Sequence, residues 1–217
     1  MVDTVIFDMD GLLIDSEPLW EEAGKETLKE FRINLTADQY HESTGLRSRE
    51  WILHWFGYFG IDLAHAEAAE NAILKKAIEK IGNNARPMPG AEHVVNLFIE
   101  KEFRIGIASS SPLELIEMVV QKLGIGAYIT AKASAEHLAY GKPHPEVYLN
   151  CAAALGAAPS SCICFEDSFN GMIAAKAARM KCVVVPQVQK QHVKWGAADL
   201  KISSLLNFNE LLLGTLR

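Results

Sequence analysis

Hydrophobic residues fall into two alternating patterns along the chain. Short unbroken apolar runs occur at Val5-Ile6-Phe7, at 104–109 (RIGIAS), at 162–165 (CICF) and at 181–185 (KCVVV). Successive residues are apolar in each, so both faces of these strands are expected to be buried, as in a parallel sheet covered by helices. Between the runs lie stripes at helical spacing. Residues 91–102 place Val94, Val95, Leu97 and Phe98 on one face, and residues 112–123 do the same with Leu115, Ile116, Val119 and Leu123. The second helix has a marked start: Ser111 as cap, Pro112 in the first turn, Glu114 closing a capping box. Residues 145–155 form a further helix ending at Gly156. Strands alternating with helices predict a doubly wound, Rossmann-like α/β fold.

One region breaks the rhythm. Residues 16–81 contain no convincing strand. Trp20, Leu28 and Phe31 share a helical stripe, Glu21 stands one turn from Lys25, residues 51–59 are apolar and aromatic, and residues 64–81 are alanine-rich. Gly82 to Gly90, rich in Gly, Asn and Pro, is expected to be a linker back to the core. The expected organisation is an α/β core of residues 1–15 and 83–217 with an α-helical cap domain, 16–82, inserted after the first strand. A two-linker insert of this kind can move as a lid.

Composition narrows the picture. The net charge of −6 opposes a nucleic-acid surface. No stretch approaches the roughly 20 apolar residues that span a bilayer. Without a basic N-terminal region or cleavage site, a cytoplasmic monomer is the expectation. The four cysteines sit in apolar segments without a C-x-x-C pair, as buried free thiols would.

The candidate chemistry lies at strand ends, where open α/β sheets bind ligands. Asp8 and Asp10 follow the first run, and Gly11 allows a turn and a close approach. Glu166-Asp167 follow the CICF run. Acids gathered from two strand ends repel unless a cation joins them, and oxygen-only ligands suit Mg²⁺. Ser109-Ser110-Ser111 precede a helix, where hydroxyls and N–H groups can hold an anion. Lys142, between Gly141 and Pro143, can neutralise a phosphate. Each signal alone also fits a plain turn, a helix cap or a solvated lysine.

Their order is more specific than any member. Phe7-Asp8-Met9-Asp10-Gly11, Ala108-Ser109-Ser110-Ser111, Gly141-Lys142-Pro143-His144-Pro145 and Phe165-Glu166-Asp167-Ser168-Phe169-Asn170-Gly171 together resemble the haloacid dehalogenase superfamily. The likeness is to its β-phosphoglucomutase and sugar-phosphate phosphatase branch, which includes bacterial hexitol and 2-deoxyglucose-6-phosphate phosphatases. The resemblance implies a small-molecule phosphate ester as substrate and Asp8 as nucleophile, forming an aspartyl-phosphate. It implies Asp10 as acid and base, with Ser109 and Lys142 completing the catalytic set. Mg²⁺ would be held by Asp8, the Asp10 backbone carbonyl and Asp167, with Glu166 behind them. Gly11, Ser110 and Asn170 would contact phosphate or substrate, and Arg47 or Arg49 of the insert would reach the sugar or a second phosphate. Trp20 departs from the branch's mutases, which carry a histidine near this point. That favours hydrolysis over a phosphoglucomutase-type isomerisation. The same motifs would also serve a pyrophosphatase, or a binding protein without catalysis.

Overall fold

The computed structural model describes residues 2–43, 45–186 and 192–216. A six-stranded, all-parallel sheet forms the core in the order β3-β2-β1-β4-β5-β6. Its strands are β1 (Thr4–Phe7), β2 (Arg104–Ser109), β3 (Ile129–Ser134), β4 (Cys162–Glu166), β5 (Lys181–Val184) and β6 (Leu200–Lys201). Side chains alternate across each strand, which explains the unbroken apolar runs. Val5, Phe7, Ile163, Phe165 and Val183 enter one hydrophobic cluster, whereas Ile6, Cys162, Cys164, Cys182 and Val184 enter another on the opposite face.

Helices α5 (Ala91–Glu100), α6 (Leu113–Lys122) and α9 (Glu210–Thr215) supply the first cluster. Helices α7 (Glu146–Ala154) and α8 (Phe169–Ala177) supply the second. Gly106 on β2 admits α7 closely, since a Cβ there would lie 2.7 Å from Cys151 Sγ. Strands β3 and β6 were not expected. β3 lies at the sheet edge with half its residues partly exposed, and β6 has two residues, so neither makes an apolar run.

Four helices lie between β1 and α5: α1 (Glu17–Glu30), α2 (Ala37–Glu42), α3 (Ser48–Phe59) and α4 (Ala66–Asn84). They carry a third cluster of their own, built from Leu28, Trp51, Ile52, Trp55, Phe56 and Ile73. The return linker starts later than expected, because α4 runs through Gly82 to Asn84. Its backbone turns extended at Ala85, ahead of Pro87. The two connections lie side by side: Asp15 N–H donates to the Arg86 carbonyl at 2.8 Å, and Met88 N–H to Leu13 at 3.0 Å.

Candidate active site

Loops at the carboxyl edge of the sheet, and the underside of the helical insertion, line a partly open cavity of about 80 Å³. Asp8 leaves β1, Ser109 to Ser111 leave β2, and Glu166 and Asp167 leave β4. Lys142 comes from the segment ahead of α7 and is almost fully buried. Its ammonium donates to Asp8 Oδ1 at 2.7 Å, to Glu166 Oε1 at 2.6 Å and to the Ala108 carbonyl at 3.1 Å. Tyr148 donates its hydroxyl to the same Glu166 oxygen, and Ser168 Oγ donates to Glu166 Oε2 at 3.0 Å. Glu166 is thus fully engaged, and it is fully buried. Gly171 makes room for it, since a Cβ there would sit 1.9 Å from the carboxyl carbon.

Asp10 takes a different environment from Asp8. Its Oδ1 accepts from Ser16 Oγ at 2.7 Å and Trp20 Nε1 at 2.9 Å, and its Oδ2 from Ser111 Oγ at 2.7 Å and Ser109 Oγ at 3.2 Å. Four donors orient one carboxylate. Ser111 is therefore not the cap of α6: Pro112 stands at that position and no side chain caps the helix. The hydroxyl that capping would use is committed to Asp10. Ser168, by contrast, does cap α8, accepting from Gly171 N–H at 3.0 Å.

The remaining candidates separate. Ser110 lines the cavity and donates its hydroxyl to the Gly45 carbonyl at 3.0 Å. Gly11 has φ +72°, and its N–H donates to Ile14 at 2.9 Å, so in this structure the amide serves the turn after β1 rather than a ligand. Asn170 stands in the first turn of α8 beside Gly45. Arg47 and Arg49 do not line the cavity. Arg47 binds backbone carbonyls of the core, and Arg49 pairs with Glu70 at 3.2 Å. The cavity wall from the insertion is instead Glu17, Trp20, Tyr40, Ser43, Leu46, Ser48 and Trp51. Glu17 was not read from the sequence, where Ser16-Glu17-Pro18 looks like an ordinary helix start. Tyr148, one turn into a buried helix, carries no sequence signal either.

Electrostatically the site is overloaded with acid. Among the described residues that line the cavity, Lys142 is the only base, against Asp8, Asp10, Glu17 and Asp167. Burial pushes Asp8 up to about 8 despite Lys142 beside it, and Glu17 to about 8 with Asp10 and Asp8 adding to burial. Asp167 is driven well above the usual range by burial and then by Asp8. Burial draws Lys142 down, but Asp8 and Glu166 more than reverse this, so the lysine stays charged. Ligand oxygens of Asp8, Glu166 and Asp167 lie within 4.8 Å of one another. An all-oxygen cluster with too little positive charge fits a hard divalent cation. Glu166 stands in this cluster with both oxygens already hydrogen-bonded, and the Asp10 carboxylate turns to the serines and the indole, the part expected of Asp10 toward the cation being that of its backbone carbonyl.

A carboxylate at the first strand end, a buried lysine across from it and acids after the fourth strand thus meet at one edge of the sheet. The family model for haloacid dehalogenase-like hydrolases matches residues 2–179. The chain is 39% identical to hexitol phosphatase B of Escherichia coli (strain K12) over 202 residues, 92% of this chain and 91% of that one. It is 29% identical to fructose-1-phosphate phosphatase YqaB of the same organism, over 83% of this chain and 95% of the relative. Among solved structures, β-phosphoglucomutase from Clostridium difficile shares the fold with TM-score 0.88 at 22% identity, covering 100% of this chain and 97% of that one. The chain belongs to the haloacid dehalogenase-like hydrolases, and it is an enzyme of their phosphatase type.

Proposed function

We infer that the protein is a Mg²⁺-dependent phosphatase of small sugar or sugar-alcohol phosphates, acting through an aspartyl-phosphate on Asp8. The observation that carries this reading is the Lys142 ammonium 2.7 Å from Asp8, with Glu166 and Asp167 closing an acidic cluster around the same carboxylate. Asp8, Asp167 and the Asp10 backbone carbonyl would hold the cation, with Glu166 behind them. When bound, Mg²⁺ offsets the charge of carboxylate and phosphate that would otherwise repel.

Asp8 supplies the nucleophilic oxygen, which bonds to phosphorus as the ester oxygen leaves. Lys142 neutralises Asp8 and the incoming phosphoryl oxygens. Asp10, held by Ser16, Trp20, Ser109 and Ser111, delivers the proton to the departing alcohol. It then takes one from the water that cleaves the aspartyl-phosphate, returning Asp8 and releasing phosphate. The helical insertion closes over this edge as a cap, excluding water from the first step.

The cavity supports a neutral leaving group. Its outer wall carries Glu17, serines and aromatic rings, with no base among the described lining residues except Lys142. Hydroxyls can hydrogen-bond to such a wall, whereas a second phosphate would find no cation among its described residues. That disfavours a mutase, which needs a sugar bisphosphate in the site, and a pyrophosphatase. The names of the relatives, hexitol phosphatase and fructose-1-phosphate phosphatase, point the same way.

The test is phosphate release, with and without Mg²⁺, from hexitol phosphates, 2-deoxyglucose 6-phosphate, fructose 1-phosphate, β-glucose 1-phosphate and pyrophosphate. Mg²⁺-dependent release from the polyol and sugar monophosphates is expected, and its loss in Asp8→Asn with cooperative unfolding retained. Glucose 6-phosphate formed from β-glucose 1-phosphate only with added bisphosphate, and little free phosphate, would make the enzyme a mutase.

A further inference from the structure

Arg47 faces away from the cavity and into the core. It stands at the start of α3, with its side chain only 11% exposed. Nη1 donates to the carbonyls of Ala135, at 3.0 Å, and Leu138, and Nη2 to that of Ala139 at 3.3 Å. Glu50, one turn along α3, accepts from Arg47 Nη2 at 2.6 Å and from the Gly141 backbone N–H at 2.9 Å. Two side chains of the insertion thereby hold the loop between β3 and α7 at both ends. Gly141 is shaped for them: a Cβ there would lie 2.5 Å from Glu50 Oε2 and 2.8 Å from Arg47 Nε. The next residue is Lys142, whose ammonium is set among Asp8, Glu166, Tyr148 and the Ala108 carbonyl.

We propose that Arg47 and Glu50 are positioning residues that clasp the 135–141 loop and so place Lys142 against Asp8 whenever the insertion is seated on the core. Exposed ion pairs contribute little. This one differs because Nη1 and Nη2 donate to three carbonyls and the carboxylate accepts from an amide, although the buried Nε finds no partner, so the loop's backbone is specified rather than one flexible partner. A lysine ammonium misplaced by about 1 Å forfeits much of its effect on phosphoryl transfer. The clasp therefore joins two events: covering the substrate and completing the charge around Asp8. It rests on the phosphatase reading for its kinetic consequence, but its geometry can be tested without turnover.

The experiment compares Arg47→Ala, Glu50→Ala and Arg47→Lys with the wild-type protein. Amide exchange at Gly141 is the first readout, and kcat and KM for a hexitol phosphate and p-nitrophenyl phosphate are the second. Gly141 is expected to exchange at least about tenfold faster in both alanine variants, because its acceptor or the group holding that acceptor is gone. kcat is expected to fall on the order of 10- to 100-fold, equally for both substrates, with KM little changed. Arg47→Lys keeps the charge but not the fork, so it should fall between in both readouts. It also serves as the variant to read if either alanine variant fails to fold. A rise in KM confined to the hexitol phosphate, with kcat intact, would make Arg47 a substrate contact and overturn the clasp. Unchanged exchange at Gly141 in all three variants would overturn it as well. If the wild-type protein releases no phosphate from any ester, the phosphatase reading fails, and the exchange readout alone decides the clasp.

Discussion

Glu166 shows how closely a single residue is specified here. It carries a full set of hydrogen bonds in a fully buried place, and that place exists only because residue 171 has no side chain. Gly171→Ala would put a methyl group inside the carboxyl group, so one must move. If Glu166 moves, Lys142 loses an anionic partner in the low-dielectric interior, and breaking such a pair costs on the order of 3–5 kcal/mol. Gly171→Ala is therefore expected to lower the melting temperature by several degrees and to depress phosphate release strongly. Thermal denaturation and the hexitol phosphate assay check both. A variant with wild-type melting and activity would mean that α8 can shift away from β4 without disturbing the cluster. Nothing in Glu166-Asp167-Ser168-Phe169-Asn170-Gly171 as letters reveals this packing. The acids are legible because they follow an apolar run, whereas the glycine's purpose appears only once α8 is folded back over β4.

At the scale of elements, the start of α6 separates what the chain discloses from what it conceals. Ser-Pro-Leu-Glu reads as a capped helix entrance, yet Pro112 takes the cap position and Ser111 bonds Asp10 at 2.7 Å. Ser111→Ala distinguishes the two roles. Loss of a true cap would cost about 1 kcal/mol of stability. Loss of an Asp10 donor should instead leave the melting temperature nearly unchanged and lower kcat roughly tenfold, since general acid–base catalysis depends on orientation. A melting shift with intact kcat would restore the capping role. The same contrast runs through the fold. β1, β2, β4 and β5 are legible because central parallel strands bury both faces, and the helical insertion is legible from the absence of such runs. β3 is not, because an edge strand reading Ile-Thr-Ala-Lys-Ala-Ser buries only part of itself. Asp8, Lys142 and Asp167 could be found from strand ends and a Lys-Pro step. Arg47 could not be placed, because its partners are backbone carbonyls almost 90 residues away, and a carbonyl belongs to every residue type.

Across the whole molecule, acids converge on one edge of the sheet while all four thiols lie buried, each on or packed against the sheet face opposite α5 and α6. Cys162, Cys164 and Cys182 project from β4 and β5, and Cys151 meets them from α7. Burial raises each: Cys162 to about 11, Cys151 to about 12, and Cys164 and Cys182 well above the ordinary thiol value. The sign follows from which form the fold excludes. A thiol keeps its proton in the native state through a range where the unfolded chain, titrating near 9, has begun to lose it. The native state then binds more protons than the unfolded one, so stability falls as pH rises above about 9. One pH unit is worth up to about 1.4 kcal/mol per thiol, and Tyr148 and Lys142, also held above their ordinary values, act in the same direction. Summed over several groups, that is comparable with the roughly 5–15 kcal/mol that holds a domain together. The denaturation midpoint is therefore expected to fall gently up to about pH 8, where Asp8 and Glu17 keep protons that the unfolded chain has lost, and to drop steeply between pH 9 and about 11. A thiol reagent at pH 7.5 should modify no cysteine in the native protein and all four after denaturation. Rapid native modification of any one would mean that the sheet face opens far more readily than its packing indicates.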